Sequence, residues 1–322
     1  MVGSGVVPAG RKGARLSGLG AYRPSRSLTS EELGRRFGRS AEWIEIRTGF
    51  VSRWTAEKHE TVAVMATAAA GEALLDSQLQ AQDVDLVIVA SCSNDPRAGG
   101  VAAQVAQSLG ASRAGAMDLN AACAGFCYAT AVAADAVRAG SARHVLVVAS
   151  ERMTDLVDPD DLGTSIIFGD GAGAVVVGPG DSSAIGPVAW GHDGEKASFI
   201  KIDETSKFLR MNGQAVFRWA TSAVHPVARS ACERAGIALD DLAAVIPHQA
   251  NLRIVDQIAA KIGAGRAVVA REGVTSGNTS AASIPLALHS LRRRGAVGSG
   301  DHALLIGFGA GLSLAALVVQ VP

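Results

Sequence analysis

The chain has 322 residues, of which 48% are apolar and only 19% charged, with 37 glycines; this length is about twice a typical single domain, and the balance suits a large packed α/β core and excludes disorder. Thirty basic residues cancel thirty acidic ones. With no net field and no basic stripe interleaved with aromatics, nucleic acid is not an expected partner.

In chain order, the opening MVGSGVVPAGRKGA lacks the continuous apolar stretch of a signal peptide. A helix is predicted over Thr61–Leu75. DLVIVAS (Asp85–Ser91) is a short apolar run between polar turns, the pattern of a strand buried on both faces. A strand-like start at Met117 runs into small residues and then a helix over Gly125–Val137. HVLVVAS (His144–Ser150) is a second buried strand. The next segment, Ser150–Asp170, holds Pro159 and an acidic cluster and is expected to be mostly loop. GAGAVVV (Gly171–Val177) follows, then a helix over Val224–Ala235, a strand over Ala243–His248, a helix over Ile284–Arg294 and a strand over His302–Phe308. Strands alternating with helices predict parallel or mixed sheets covered by helices. The longest apolar runs, such as Val145–Ala149, are strand-length, so no membrane span is expected. Cys92, Cys123, Cys127 and Cys232 form no CxxC pair, which argues against a disulfide framework, a structural zinc or any other metal, and points to a reducing cytoplasm.

The chain also repeats itself. At a shift of 158 residues, AQDVDLVIVAS (Ala81–Ser91) aligns with LDDLAAVIPHQ (Leu239–Gln249), and GSARHVLVV (Gly140–Val148) with GSGDHALLI (Gly298–Ile306). Beyond Val148, GAGAVVV aligns with GAGLSLAALVV (Gly309–Val319) at a shift of 138, leaving extra residues between Ser150 and Asp170. Two such halves, divided as residues 1–180 and 181–322, predict a duplicated five-layer α/β/α/β/α sandwich. An insertion in a repeated scaffold is a common home for specificity.

Three dispersed segments carry candidate chemistry. In MDLNAACAGFCYATAVAADAV (Met117–Val137), Cys123 sits at a tight strand-to-helix turn, where free N–H groups and the helix dipole favour a thiolate. It reads either as a nucleophile or as a buried structural cysteine. In VIPHQANLRI, His248 follows a strand's carboxyl end, where open α/β sheets bind ligands, or else caps the next helix. In TSGNTSAASIPLAL, Asn278 reads as a helix cap or as a catalytic amide. The duplication relates the helix after Cys123 to the helix Ile284–Arg294. Cys123 and Asn278 thus occupy near-equivalent turns that a pseudo-twofold axis would bring face to face.

NAACAGF, PHQANLRI and GNTSAASIPLAL, with IIFGDGAGAVVV and GFGAGL, resemble the signature segments of the β-ketoacyl-acyl-carrier-protein synthase III family of the thiolase superfamily, in the family's order from about Arg15 onward. The resemblance implies a thiolase-like fold and a homodimer. It further implies a decarboxylative Claisen condensation in which Cys123 takes an acyl group from acyl-CoA and passes it to malonyl-acyl carrier protein. His248 and Asn278 would donate to the developing enolate oxygen, with the N–H groups of Cys123 and Ala310 as the oxyanion hole. Trp43 and Arg47 would sandwich the CoA adenine, Arg253 would meet the pantetheine arm or phosphates, or the carrier protein, and Arg218 and Lys261 would form a docking patch for the acidic carrier protein. CoA thioester is substrate and no cofactor is implied; the Gly-x-Gly of GFGAG lacks the βαβ context of a dinucleotide site.

Two positions depart from the family pattern. Leu162 stands where an arginine often contacts CoA. Gly99 and Gly100 stand where bulkier residues commonly line the primer pocket across the dimer, which predicts room for primers longer than acetyl. Rival readings are a starter-unit acyltransferase that does not decarboxylate, a cysteine hydrolase, and an inactive partner subunit. Asn278 argues against the first, and joint retention of Cys123, His248 and Asn278 against the last.

Overall fold

A computed structural model of the chain describes residues 13–94, 99–180 and 184–322. Its first half runs β1 (Gly13–Tyr22), a hairpin of β2 (Arg26–Thr29) and β3 (Ser52–Thr55) that holds α1 (Ser30–Phe37) and α2 (Ala41–Thr48), then α3 (Val62–Asp76), β4 (Leu86–Ala90), α4 (Val101–Leu109), β5 (Gly115–Leu119), α5 (Gly125–Ala139), β6 (Val145–Arg152), α6 (Leu162–Ser165) and β7 (Asp170–Gly180). The second runs β8 (Ala189–His192), β9 (Ile200–Ile202), β10 (Leu209–Met211), α7 (Gly213–Ala235), β11 (Leu242–Pro247), α8 (Leu252–Ile262), β12 (Val268–Val269), α9 (Gly273–Ser276), α10 (Ser283–Arg293), β13 (His302–Gly309) and β14 (Ser313–Gln320).

The two main sheets have orders β1-β7-β6-β4-β5 and β8-β14-β13-β11-β12. In each, three strands run parallel (β6, β4 and β5; β13, β11 and β12), and the two pairings at the other end are antiparallel (β6-β7 and β7-β1; β13-β14 and β14-β8). This is one topology used twice. Alternation along the strands decides the layering, because successive side chains face opposite ways. In β6, Val145, Val147 and Ala149 join the central cluster that also holds Ala303, Leu305, Leu317 and Val319 of the second sheet, with α5 and α10 between. Leu146 and Val148 face the other way, onto α3 and α4. Leu304, Ile306, Val318 and Ala316 pack on α7 and α8. The result is the expected five-layer α/β/α/β/α sandwich. Each fully buried aliphatic side chain in these layers contributes about 1.5–3 kcal/mol relative to exposure.

Most expected elements lie within two residues of their predicted ends. The exception is α7, which begins at Gly213 rather than Val224. Asn212 caps it by accepting from the Ala215 N–H, and the helix continues through Pro226. Ala215, Val216, Trp219 and Ala220 are buried at helical spacing ahead of Val224 and Ala228, so the apolar stripe runs the whole length of the helix and the earlier start is legible in it. The repeat register also needs correction. Val145 pairs with Val177 and Ala303 with Val319, so the counterpart of Val177 is Val319 and not Ala315. The predicted boundary between halves at 180/181 abuts residues outside those described. Among the described residues no helix is long and apolar enough to cross a membrane.

Candidate active site

Cys123 lies in a 3-10 turn, Ala122–Ala124, that feeds α5; its counterpart turn, Ser280–Ala282, feeds α10. Residue 122 has φ 47° and residue 280 has φ 48°, a left-handed conformation that costs a non-glycine residue about 1–3 kcal/mol and clusters at functional sites. In each turn an asparagine two residues earlier holds the strained N–H: Asn120 Oδ1 accepts from Ala122 at 3.0 Å and Asn278 Oδ1 from Ser280 at 2.9 Å. The duplication is therefore finer than the sequence comparison suggested. Asn278 matches Asn120, and Cys123 matches Ala281. The 158-residue shift, applied inside the two motifs, would have revealed this pairing.

One cavity of about 350 Å³ brings together Cys123, His248, Asn278 and Ala310. Backbone approach makes it possible. A Cβ on Gly309 would lie 2.8 Å from the Cys123 Cβ and 3.1 Å from its Sγ, so the end of β13 can press on the nucleophile turn only as glycine. His248 follows β11, with its N–H on the Ile306 carbonyl at 2.8 Å, and its ring stands edge-on to Phe308. It does not cap α8; Asn251 does, accepting from the Arg253 N–H. Asn278 is clamped by backbone bonds to Ile167 and Gly169. Its Nδ2 has a 3.4 Å contact to the Ala250 carbonyl, leaving donor capacity for the cavity.

The electrostatics correct one expectation. Burial, aided by the charge of Glu151, pushes the Cys123 thiol up to about 12, against the Ser280 hydroxyl bond that favours thiolate. Desolvation outweighs the turn and helix dipole expected to favour thiolate. Burial likewise drives His248 down to about 3, so its imidazole is neutral. Its Nδ1 lies 2.7 Å from the Ser283 hydroxyl, which also accepts from the Gln249 N–H; Nε2 is the nitrogen left for chemistry. Three groups escaped the sequence reading: Glu151, Cys92 and Ser280. The acid, at the end of β6, and the thiol, in the loop after β4, carry no motif, so only the tertiary contacts reveal them.

The remaining predicted positions divide. Arg47 stacks on Trp43 at 3.7 Å, with Arg39 on the same ring at 5.2 Å. The Arg47 carbonyl accepts from Asn251, a cavity-lining residue. Arg253 lies 5.9 Å from the ring of Phe217, which also lines the cavity. Leu162 packs in the apolar cluster that also carries Trp43. Arg218 and Lys261 are exposed on the adjoining α7 and α8, and the Lys261 ammonium donates to the Thr221 carbonyl at 2.6 Å. Gly99 and Gly100 do not reach the cavity. Gly99 has φ 78°, and a Cβ at Gly100 would lie 2.5 Å from the Asp118 carboxylate that binds the Ala102 N–H. The left-handed φ favours glycine at Gly99, whereas Gly100 has an ordinary φ of −71° and gives room to a side chain; their expected place is a pocket formed across a dimer, which a single chain does not contain. The cavity wall is instead built by Cys92, Met153, Leu156, Phe168, Leu209 and Met211, among others.

Sequence-family models match the chain in two places: 3-oxoacyl-[acyl-carrier-protein (ACP)] synthase III over residues 117–194, and the C-terminal model of the same family over residues 232–321. The β-ketoacyl-[acyl-carrier-protein] synthase III 4 of Streptomyces coelicolor is 49% identical over 97% of this chain and 99% of its own. The crystal structure of the priming β-ketosynthase from the R1128 polyketide biosynthetic pathway superposes with a TM-score of 0.94 at 45% identity, covering 99% of both chains. The 3-oxoacyl-[acyl-carrier-protein] synthase III of Aquifex aeolicus does so at 0.90 and 36% identity, covering 96% of this chain and 100% of that one.

Proposed function

The chain belongs to the β-ketoacyl-[acyl-carrier-protein] synthase III family, condensing enzymes that initiate fatty-acid or polyketide chains, and from that premise we propose the role of each residue in its cavity. Cys123 attacks the thioester carbonyl of an acyl-CoA primer, and CoA leaves. Malonyl-acyl carrier protein then enters and loses CO₂. The resulting enolate attacks the acyl-cysteine, releasing β-ketoacyl-carrier protein and the thiol.

The observation that carries this reading is the convergence of Cys123, His248, Asn278 and Ala310 on one cavity. The neutral imidazole of His248 and the Nδ2 of Asn278 supply N–H donors for the enolate oxygen without adding a charge to the site. Asn278 has no titratable proton, so its part is electrostatic. The N–H groups of Cys123 and Ala310 hold the oxyanion of the acyl-transfer steps. Trp43 and Arg47 bind the adenine, Arg253 the pantetheine phosphates, and Arg218 with Lys261 the carrier protein. The enzyme works as a homodimer in the cytoplasm; the exposed edge strand β5, a ready template for pairing with a second copy, supports this. The largely apolar wall supports a primer longer than acetyl.

Mass spectrometry after incubation with a mixture of acyl-CoAs tests the proposal. An acyl adduct on Cys123, lost in Cys123→Ala, is expected, with chains longer than acetyl preferred. Absence of any adduct overturns the nucleophile assignment, and a strict acetyl preference overturns the primer assignment.

A further inference from the structure

Acylating Cys123 requires its thiol proton to go somewhere, and burial holds that proton tightly. His248 has its Nδ1 on Ser283 and is assigned above to the enolate. Beside the sulfur lies a chain of exchangeable hydrogens. The Ser280 hydroxyl is 3.4 Å from the Cys123 Sγ and 3.4 Å from the Cys92 Sγ, and the Cys92 Sγ is 3.4 Å from Glu151 Oε1. Glu151 is a fully buried carboxyl at the end of β6. Its Oε2 accepts from the Ser91 hydroxyl at 3.1 Å, the Ser93 hydroxyl at 2.6 Å and the Cys92 and Ser93 N–H groups at 3.1 Å. Among the described residues Oε1 has a 3.3 Å contact to the Cys92 N–H besides the thiol, and the Ser280 hydroxyl also reaches this carboxyl. These donors hold the loop after β4 and offset the cost of burying the carboxylate, and the thiol on Oε1 gives it an exchangeable hydrogen as well.

We infer that Glu151 stores the Cys123 proton while the enzyme is acylated, through a relay formed by Ser280 and Cys92. The inference rests on Cys123 being the nucleophile. In the structure the Ser280 hydroxyl donates to the Cys123 Sγ; rotated to accept from it instead, it lines the hydrogens up from Cys123 S–H to Ser280 O–H to Cys92 S–H to the Glu151 carboxylate. When Cys123 attacks the acyl carbonyl, each hydrogen moves one place along. The carboxyl becomes neutral, the new C–S bond forms, and the C–S bond to CoA breaks; the CoA thiolate takes a proton from solvent. In the second half, loss of CO₂ leaves an enolate that attacks the acyl group and expels the Cys123 thiolate. The hydrogens then return and Glu151 is again a carboxylate. A neutral Glu151 throughout the acyl-enzyme stage also keeps a negative charge away from the forming enolate. Among the described residues, the titratable groups facing this acid are Cys92 directly and Cys123 beyond Ser280; Arg152, next in the chain, pairs with Asp155, and His248 meets the backbone of Ser280. Burial raises the Glu151 carboxyl above the ordinary carboxylate range, which suits a group that must hold a proton.

The test is the rate of Cys123 acylation at saturating acyl-CoA, read by rapid quench and mass spectrometry from about pH 6 to about pH 9. Cys92→Ala breaks the relay without touching the donors on Glu151 Oε2, and Cys92→Ser rebuilds it with a hydroxyl. The expected result is acylation slowed about 10²-fold near neutral pH in Cys92→Ala, the scale of a lost proton acceptor. That rate should climb steeply with pH as free thiolate takes over, and Cys92→Ser should recover both rate and profile. Glu151→Gln should resemble Cys92→Ala. If Glu151 acted only as a charge opposing the thiolate, Glu151→Gln would acylate faster than the wild type, and that outcome overturns the relay. So does a wild-type rate and profile in Cys92→Ala. In both cases an adduct still forms on Cys123, so the nucleophile assignment survives; absence of an adduct in the wild-type enzyme would refute that assignment instead.

Discussion

Replacing Asn278 by alanine should separate the two halves of the reaction. Two interactions disappear: the 2.9 Å bond from the Ser280 N–H to Oδ1, and the 3.4 Å contact from Nδ2 to the Ala250 carbonyl. The weak second contact leaves Nδ2 free for the enolate oxygen. Removing such a donor costs about 10²–10³ in rate, or about 3–4 kcal/mol. The lost Ser280 bond is a separate matter, worth about 1 kcal/mol, so acylation of Cys123 should fall by less than about tenfold. Asn120 provides the mirror experiment, because its Oδ1 holds the N–H of Ala122 in the turn that presents Cys123. Asn120→Ala should slow acylation and leave malonyl decarboxylation by pre-acylated enzyme nearly unchanged. The assay is CO₂ release from malonyl-carrier protein, beside mass-spectrometric acylation with acyl-CoA. Equal losses of both activities in Asn278→Ala would refute the division of labour.

Further outcomes follow from the same geometry. The ordinary histidine value is 6.5 and burial holds His248 at about 3. As pH falls below 6.5 the unfolded chain gains a proton that the folded one refuses, so this residue's contribution, present above 6.5, is lost progressively toward 3. His248→Gln should therefore flatten the acid limb of stability measured by denaturant unfolding; an unchanged slope contradicts the buried neutral ring. By the same reasoning, the condensation rate should show no inflection near 6.5 that depends on His248. Gly309→Ala puts a Cβ 2.8 Å from the Cys123 Cβ, which should cost about 1–3 kcal/mol of stability and abolish acylation; a normally acylating variant would show that the turn can retreat. Trp43→Ala removes the ring on which Arg47 stacks at 3.7 Å. It should raise KM for acyl-CoA about tenfold, the worth of one stacked base, and leave acyl-pantetheine thioesters unaffected; equal effects on both would exclude adenine recognition there.

The sequence by itself determined the duplicated scaffold. Strands buried on both faces read as unbroken apolar runs, as in β4, β6, β11 and β13, and the repeated offset related the halves before any coordinates. It also singled out Cys123, His248 and Asn278, because a turn that must admit backbone close to a reacting carbonyl demands small residues around it. Beyond that, local pattern was silent. The left-handed φ of Gly99 and the Asp118 carboxylate beside Gly100 show only in the fold. Above all, the ionisation of Cys123 was decided by tertiary structure alone. A turn at a helix start favours thiolate, yet desolvation depends on every atom packed around the sulfur, and those atoms come from both halves of the chain. The same holds for Ser280, Cys92 and Glu151, which lie far apart in sequence and acquire a common role only where the two sheets and their central helices converge.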